Sequence, residues 1–167
     1  VMPVSQTLDT VGPMTRTVHD AALIMNVISD HDKRDRRTNR RSTEDFTANL
    51  NDGIAGVRIG VLEEAFSEVI EPEVEKLLRT AVTVLDDLGA KVDDTSISHI
   101  TEGRAPGVIM LAEYAATHIE IHRLRSNEIG EQARGSIEDG LLIRGVDYVN
   151  AQRELSRFNV RFSKIWD

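Results

Sequence analysis

The stretch on which the fold turns begins Gly56-Val57-Arg58-Ile59-Gly60-Val61-Leu62. After a short interval it continues Pro72-Glu73-Val74-Glu75-Lys76-Leu77-Leu78-Arg79-Thr80-Ala81-Val82-Thr83-Val84-Leu85-Asp86-Asp87-Leu88-Gly89, and then runs on through Ala90–Ile97. Val57, Ile59 and Val61 alternate, which is the period of a strand with one covered face. Pro72 suits the first turn of a helix, where its missing N–H removes no hydrogen bond, and Glu71, Glu73 and Glu75 suit the positive end. Val74, Leu77, Leu78, Ala81, Val82, Leu85 and Leu88 recur at helical spacing and predict a buried stripe, with Gly89 as the stop. Ala90–Ile97 then reads as a second strand. Strand, helix and strand in this order predict a βαβ unit with parallel strands and a right-handed crossover. The expected class is α/β: a mixed sheet with packed helices, containing this one βαβ unit.

Outward from this unit the chain turns helical. Val18, Ala21, Ala22, Met25 and Ile28 share one helix face, and Thr17 followed by Asp20 has capping-box spacing. Residues 29–52 dissolve into charge, with Lys33, Arg34, Arg36, Arg37, Arg40 and Arg41 among Asp30, Asp32 and Asp35. They predict a long exposed connection, with a helical turn near Thr43–Leu50. A later helix is expected from Pro106 to about Leu124. Another is expected from Asp147, as its cap, to Trp166, with Tyr148, Ala151, Leu155, Phe158, Phe162 and Ile165 on one face. Gly130, Gly135, Gly140 and Gly145 fall between them and predict loops and short helical breaks.

At 167 residues the chain suits one domain, residues 1–167. Hydrophobic residues make up 40% and charged ones 29%, which argues for a folded protein; with 4% aromatics, its core must rest on aliphatic side chains. The absence of cysteine excludes disulfides, thiolate zinc sites and a cysteine nucleophile. A net charge of −8 argues against nucleic-acid and anionic-membrane partners. No apolar run is long enough to span a membrane and no signal-peptide pattern is present, so the expectation is a soluble cytoplasmic protein.

Ser5-Gln6-Thr7-Leu8-Asp9-Thr10-Val11-Gly12-Pro13-Met14-Thr15-Arg16-Thr17-Val18-His19-Asp20-Ala21-Ala22 is the most specific segment. Its Asp-x-x-Gly-Pro turn running into a capped helix resembles the stretch just downstream of the catalytic core in amidase signature enzymes. Further pieces follow in that family's order. His31-Asp32-Lys33-Arg34-Asp35 is similar to its Gly-x-Asp-x-x-Asp turn, although Asp30 replaces the glycine. Gly56–Val61 resembles its Gly-x-x-Ile-Gly strand and Leu88-Gly89-Ala90 its helix end. Glu113 in Ala112-Glu113-Tyr114 stands where the family has Glu-Ala. Gly145-Val146-Asp147-Tyr148-Val149-Asn150-Ala151-Gln152-Arg153 resembles its late helix.

The resemblance implies a serine amidase that turns a carboxamide into carboxylate and ammonia through a Ser–Ser–Lys arrangement and a glycine-rich oxyanion loop, without metal or organic cofactor. An A-type amidotransferase component acting on glutamine, or a non-catalytic homologue serving as a scaffold, are the other expectations. No Gly/Ser-rich nucleophile stretch occurs here, Ser5 lies beyond the nucleophile's place, and none of Lys33, Lys76, Lys91 and Lys164 matches the catalytic lysine. The chain is therefore expected to be an internal, partial amidase-signature domain, inactive alone, with no catalytic residue assigned. Its implied partner is a small-molecule amide bound by the full-length parent. An unpaired sheet edge leaves a homo-oligomer open.

Asp9 and Thr10 are the substrate-binding candidates, because the turn follows the implied nucleophile region so closely. For Asp9, acceptance of backbone hydrogen bonds that fix the turn is the favoured alternative. His118 and His122, four apart on a helix, resemble half of a metal site, since both imidazoles could reach one ion from one face. Only His19, His31 and His99 remain as other histidines and no His-Glu-x-x-His occurs, so no metal is expected and a solvated polar face is favoured. The basic run 33–41 lacks interleaved aromatics and is expected to be a solvated loop rather than an RNA patch. Glu113 is read either as a buried acid paired with Arg104 or Arg123 or, the favoured alternative, as a helix-packing salt bridge or a solvated charge.

Overall fold

The computed structural model describes residues 2–35, 38, 40, 42–66, 70–97 and 104–166. Arg36, Arg37 and Arg41 of the basic run, and His99, lie outside the described residues. The chain divides into two units: residues 11–95, and residues 1–10 together with 96–167.

The first unit holds α1 (Val18–Ile28), β1 (Arg58–Leu62), α2 (Pro72–Asp87) and β2 (Lys91–Thr95). Thr17 caps α1 as its spacing predicts, its hydroxyl accepting from the Asp20 amide at 3.0 Å. Asn26 then holds the following connection: its side chain donates to Asp45 at 2.9 Å and accepts from the Phe46 amide at 2.8 Å. A run of turns occupies residues 46–51 in place of the expected helical turn.

β1 and β2 pair in parallel, with Ile59 opposite Val92 and Leu62 opposite Thr95, so the predicted βαβ unit is present. A Cβ added at Gly60 would lie 2.9 Å from Thr95 Cγ2, so a larger residue there would have to displace that side chain. Gly89 ends α2 with φ of +89°, the left-handed conformation that glycine adopts without steric cost. Its amide donates to the Asp86 carbonyl at 2.8 Å and the Ala90 amide to the Leu85 carbonyl at 3.2 Å, the paired bonds of a Schellman stop.

The stripe of α2 is a correction to the sequence reading. No α2 residue is buried; Leu77 is 69% exposed and Leu78 42%. Periodicity reports which face is apolar, and burial needs a neighbour broad enough to cover it. Two five-residue strands do not cover sixteen residues of helix.

The second unit is helical: a turn at residues 4–9, α3 (Ala105–Arg125), α4 (Glu131–Leu141) and α5 (Gly145–Ser163). Ala105 and Ile109 of α3 meet Ala151 of α5, with Leu8, Val108, Tyr148 and Leu155 packed around them. The glycine-marked interval is not a loop but α4, an eleven-residue helix that contains Gly135 and Gly140. The start of α5 also differs from expectation. Asp147 lies within the first turn, two residues after Gly145, and its carboxylate takes Arg144 at 2.7 and 2.9 Å. Among the described residues no helix is long and apolar enough to cross a membrane.

Candidate functional site

The turn that leads into Asp9 and Thr10 is closed by its own polar groups. The Asp9 carboxylate accepts from the Val4 amide at 2.9 Å and the Ser5 amide at 3.0 Å, and the Asp9 amide donates to the Ser5 carbonyl at 2.9 Å. The Leu8 amide donates to Ser5 Oγ at 3.2 Å. Asp9 thus accepts backbone hydrogen bonds from the turn that precedes it rather than from the Gly12-Pro13 segment, while Asp9 and Thr10 are both exposed. Ser5 is buried, at 1% exposure, beneath them.

Glu113 of α3 receives this turn. Its Oε2 accepts from Ser5 Oγ at 2.6 Å and from the Thr7 amide at 2.8 Å. Its Oε1 accepts from the Thr7 hydroxyl and from the Tyr148 phenol of α5, the latter at 2.8 Å. Gln152, one helical turn beyond Tyr148, donates to the phenol oxygen at 3.0 Å. Burial pushes the Glu113 carboxyl up, but hydrogen bonds from Ser5, Thr7 and Tyr148 to its ionised form outweigh this and hold it at about 2. The same carboxylate pushes the Tyr148 phenol up, and burial adds to the effect.

A carboxylate this acidic is a poor proton acceptor at neutral pH, where general bases work best with pKa values near the operating pH. Two donors on each oxygen also fill its lone-pair directions. Glu113 therefore acts as a fixed anion. Beside it opens a cleft of about 580 Å³ lined by Gln6, Thr7, Glu113, Ala116, Thr117 and Tyr148.

Arginine is not the partner that Glu113 takes, which corrects the sequence reading; Arg123 pairs instead with Glu120, at 3.4 Å. The site's closure joins Ser5 to a residue 108 positions away, a separation that no local motif encodes. The signals available were Glu113 in its Glu-Ala context and the i, i+4 spacing of Tyr148 and Gln152.

His118 is buried rather than solvated, its Nε2 lying 2.8 Å from the Pro3 carbonyl and its ring edge-on to Tyr114. His122 instead lies 3.4 Å from Glu138. The two imidazoles thus have separate partners, and among the described residues no three His, Cys, Asp or Glu side chains are grouped to hold a metal. In the basic loop, the exposed Arg34 folds back onto the half-buried Asp32 at 2.7 Å.

A mixed α/β chain with a two-stranded parallel βαβ unit, and a turn at residues 4–9 fastened to a helix glutamate, is compatible with the amide-hydrolase class. A protein-family model described as Amidase matches residues 1–142. The chain belongs to the amidase signature family. The A subunit of glutamyl-tRNA(Gln) amidotransferase from Ligilactobacillus salivarius (strain UCC118) is 38% identical over 116 residues, covering 70% of this chain and 24% of that relative. The solved structure of the corresponding A subunit from Thermotoga maritima matches with a TM-score of 0.67 at 29% identity, covering 97% of this chain and 34% of that one. An inhibitor-bound vestigial complex, described as revealing the origins of an s-triazine catabolic enzyme, matches at a TM-score of 0.88. It is 24% identical over 98% of this chain and 35% of that one, a likeness of fold alone. The chain thus spans about a quarter of the curated relative's length.

Proposed function

We propose that these residues form part of a serine amidase that hydrolyses a small-molecule carboxamide, water adding as the C–N bond breaks to leave carboxylate and ammonia. The observation that carries this reading is the family match over residues 1–142. That match runs across both units, which supports treating residues 1–167 as part of one amidase-signature domain. In this reading the Ser–Ser–Lys machinery is not among these residues, and the chain alone is inactive. Asp9 and Thr10 line the acyl side of the site, on a turn whose carboxylate, backbone and buried serine are already cross-bonded. The chemistry calls on no metal or organic cofactor, and the cytoplasmic setting, without nucleic-acid or membrane partner, is kept as expected from composition.

A second reading, an amidotransferase component that takes ammonia from glutamine, is favoured by the 38% identity to the Ligilactobacillus salivarius protein. Both readings share the first half-reaction, acyl transfer from a carboxamide to a serine. The test uses the purified chain, and a chimera in which it replaces the matching stretch of that relative. Benzamide and glutamine are offered to both, with ammonia release measured. The chain alone should be silent and the chimera active, with the preferred amide separating the two readings. Turnover by the chain alone that a serine-directed covalent inhibitor abolishes would place a nucleophile among these residues and overturn the proposal.

A further inference from the structure

Leu8 packs on Ala105, Ile109 and Ala151, and that contact alone would hold the turn to the helices. Apolar contact is non-directional, however, and leaves the rotation of the turn loosely set. The four hydrogen bonds on Glu113 are directional and arrive from two parts of the chain, Ser5 and Thr7 on the turn and Tyr148 on α5. Asp9 then carries the constraint onward. Its carboxylate bonds the Val4 and Ser5 amides, so any rotation at Ser5 moves Asp9 and the adjoining Thr10.

We propose that Glu113 is a positioning residue: by clamping the Ser5–Leu8 turn to α3 and α5, it sets where Asp9 and Thr10 stand. Its catalytic consequence rests on the amidase reading above; the clamp itself does not. Glu113 acts through the turn and not on the reacting atoms, since its oxygens are already engaged. The charge matters because hydrogen bonds to an ionised acceptor are roughly twice as strong as neutral ones. Glutamine at this position keeps one acceptor and the shape, while alanine removes both.

The test has two arms. In the chain itself, amide exchange is followed at Val4 and Asp9, whose N–H groups do not touch Glu113, and at residues within α3 as a control. Glu113→Ala should speed exchange at Val4 and Asp9 by about tenfold or more, the scale of a lost charge-assisted hydrogen bond, with α3 unchanged. Glu113→Gln should recover part of the protection. In that variant the Tyr148 phenol should also titrate at lower pH, read by absorbance on a Tyr114→Phe background. Faster exchange confined to Thr7, whose amide bonds Glu113 directly, would overturn the clamp.

The second arm uses the chimera, with intact sites counted by a covalent serine inhibitor. Glu113→Ala should lower kcat/KM per counted site by about tenfold or more without moving the pH profile, and Glu113→Gln should restore part of it. An unchanged rate per counted site, or a shifted acidic limb, overturns the positioning role while the amidase reading stands. A folded but inactive parent chimera sinks the amidase reading, and the exchange arm still decides the clamp.

Discussion

Gly140 of α4 lies so close to Leu111 of α3 that a Cβ built on it would stand 2.1 Å from the Leu111 carbonyl oxygen. It would also lie 2.7 Å from Ala115 Cβ. The helices meet backbone to backbone there, and Ile137, 1% exposed, is buried three residues earlier on α4. Gly140→Ala should therefore push the helices apart and destabilise by at least about 1–3 kcal/mol, as overpacking does. Gly135 of the same helix has nothing within 4 Å of its built Cβ. Gly135→Ala should be neutral or stabilise by about 0.5–1 kcal/mol, the usual gain from removing a mid-helix glycine. Denaturant melts of the pair decide it, and coincident curves would show that the close approach carries no energy.

Acid should weaken the unit that holds Glu113. Its folded pKa of about 2 lies below the ordinary 4.5, so between those values the unfolded chain binds the proton more tightly. The stabilisation is full above about pH 4.5 and is lost as the pH falls through about 2. Asp32, Asp45, Glu128 and Asp147 are also lowered, so the informative quantity is the difference between parent and Glu113→Gln. Denaturation midpoints from pH 6 to 2 should converge for the two proteins toward the acid end. A constant gap would assign the effect to something other than this carboxyl.

Truncation should separate the two apolar helix faces. Ile109 is fully buried, and Ile109→Ala is expected to cost about 2–5 kcal/mol through lost transfer energy and a cavity. Leu78 is 42% exposed, and Leu78→Ala should stay within about 1 kcal/mol, as changes away from a packed core do. Urea melts of both variants provide the comparison, and a larger loss at Leu78 than at Ile109 would mean that α2 is covered.

Thr17→Ala removes the acceptor of the Asp20 amide and should cost about 1 kcal/mol of α1 stability, with faster exchange at Asp20. An unchanged Asp20 exchange rate would show that the cap contributes nothing.

Zinc should leave the thermal midpoint unmoved, because His118 and His122 have separate partners. His118→Ala should still lower the midpoint by removing the Pro3 and Tyr114 contacts. A zinc-dependent rise that this variant abolishes would restore the metal site.

Local features were read well from sequence. The alternation around Ile59, the Pro72 start, the Gly89 stop and the Thr17 cap each depend on neighbours a few residues away, and each is present. Features that depend on distant neighbours were not. The stripe of α2 has the right period but lacks cover. Gly135 and Gly140 looked like helix breaks because glycine is a poor helix former, and the Leu111 contact explains why glycine stands at 140. Arginines were the obvious partners for Glu113, yet hydroxyls and one amide hold it, and Ser5 is too remote in sequence to suggest itself.

The unit that carries Glu113 is discontinuous, with residues 1–10 and 96–167 separated by the whole of the other unit. On a ribosome, the Ser5–Leu8 turn emerges long before the helix that fastens it. At roughly 5–20 residues per second, the wait from Thr10 to Glu113 is about 5–20 s, ample for the intervening βαβ unit to form first. Ser5 and Thr7 therefore spend that interval without their carboxylate. An assembly order of this kind leaves the candidate substrate-contacting residues unset until α3 has been synthesised.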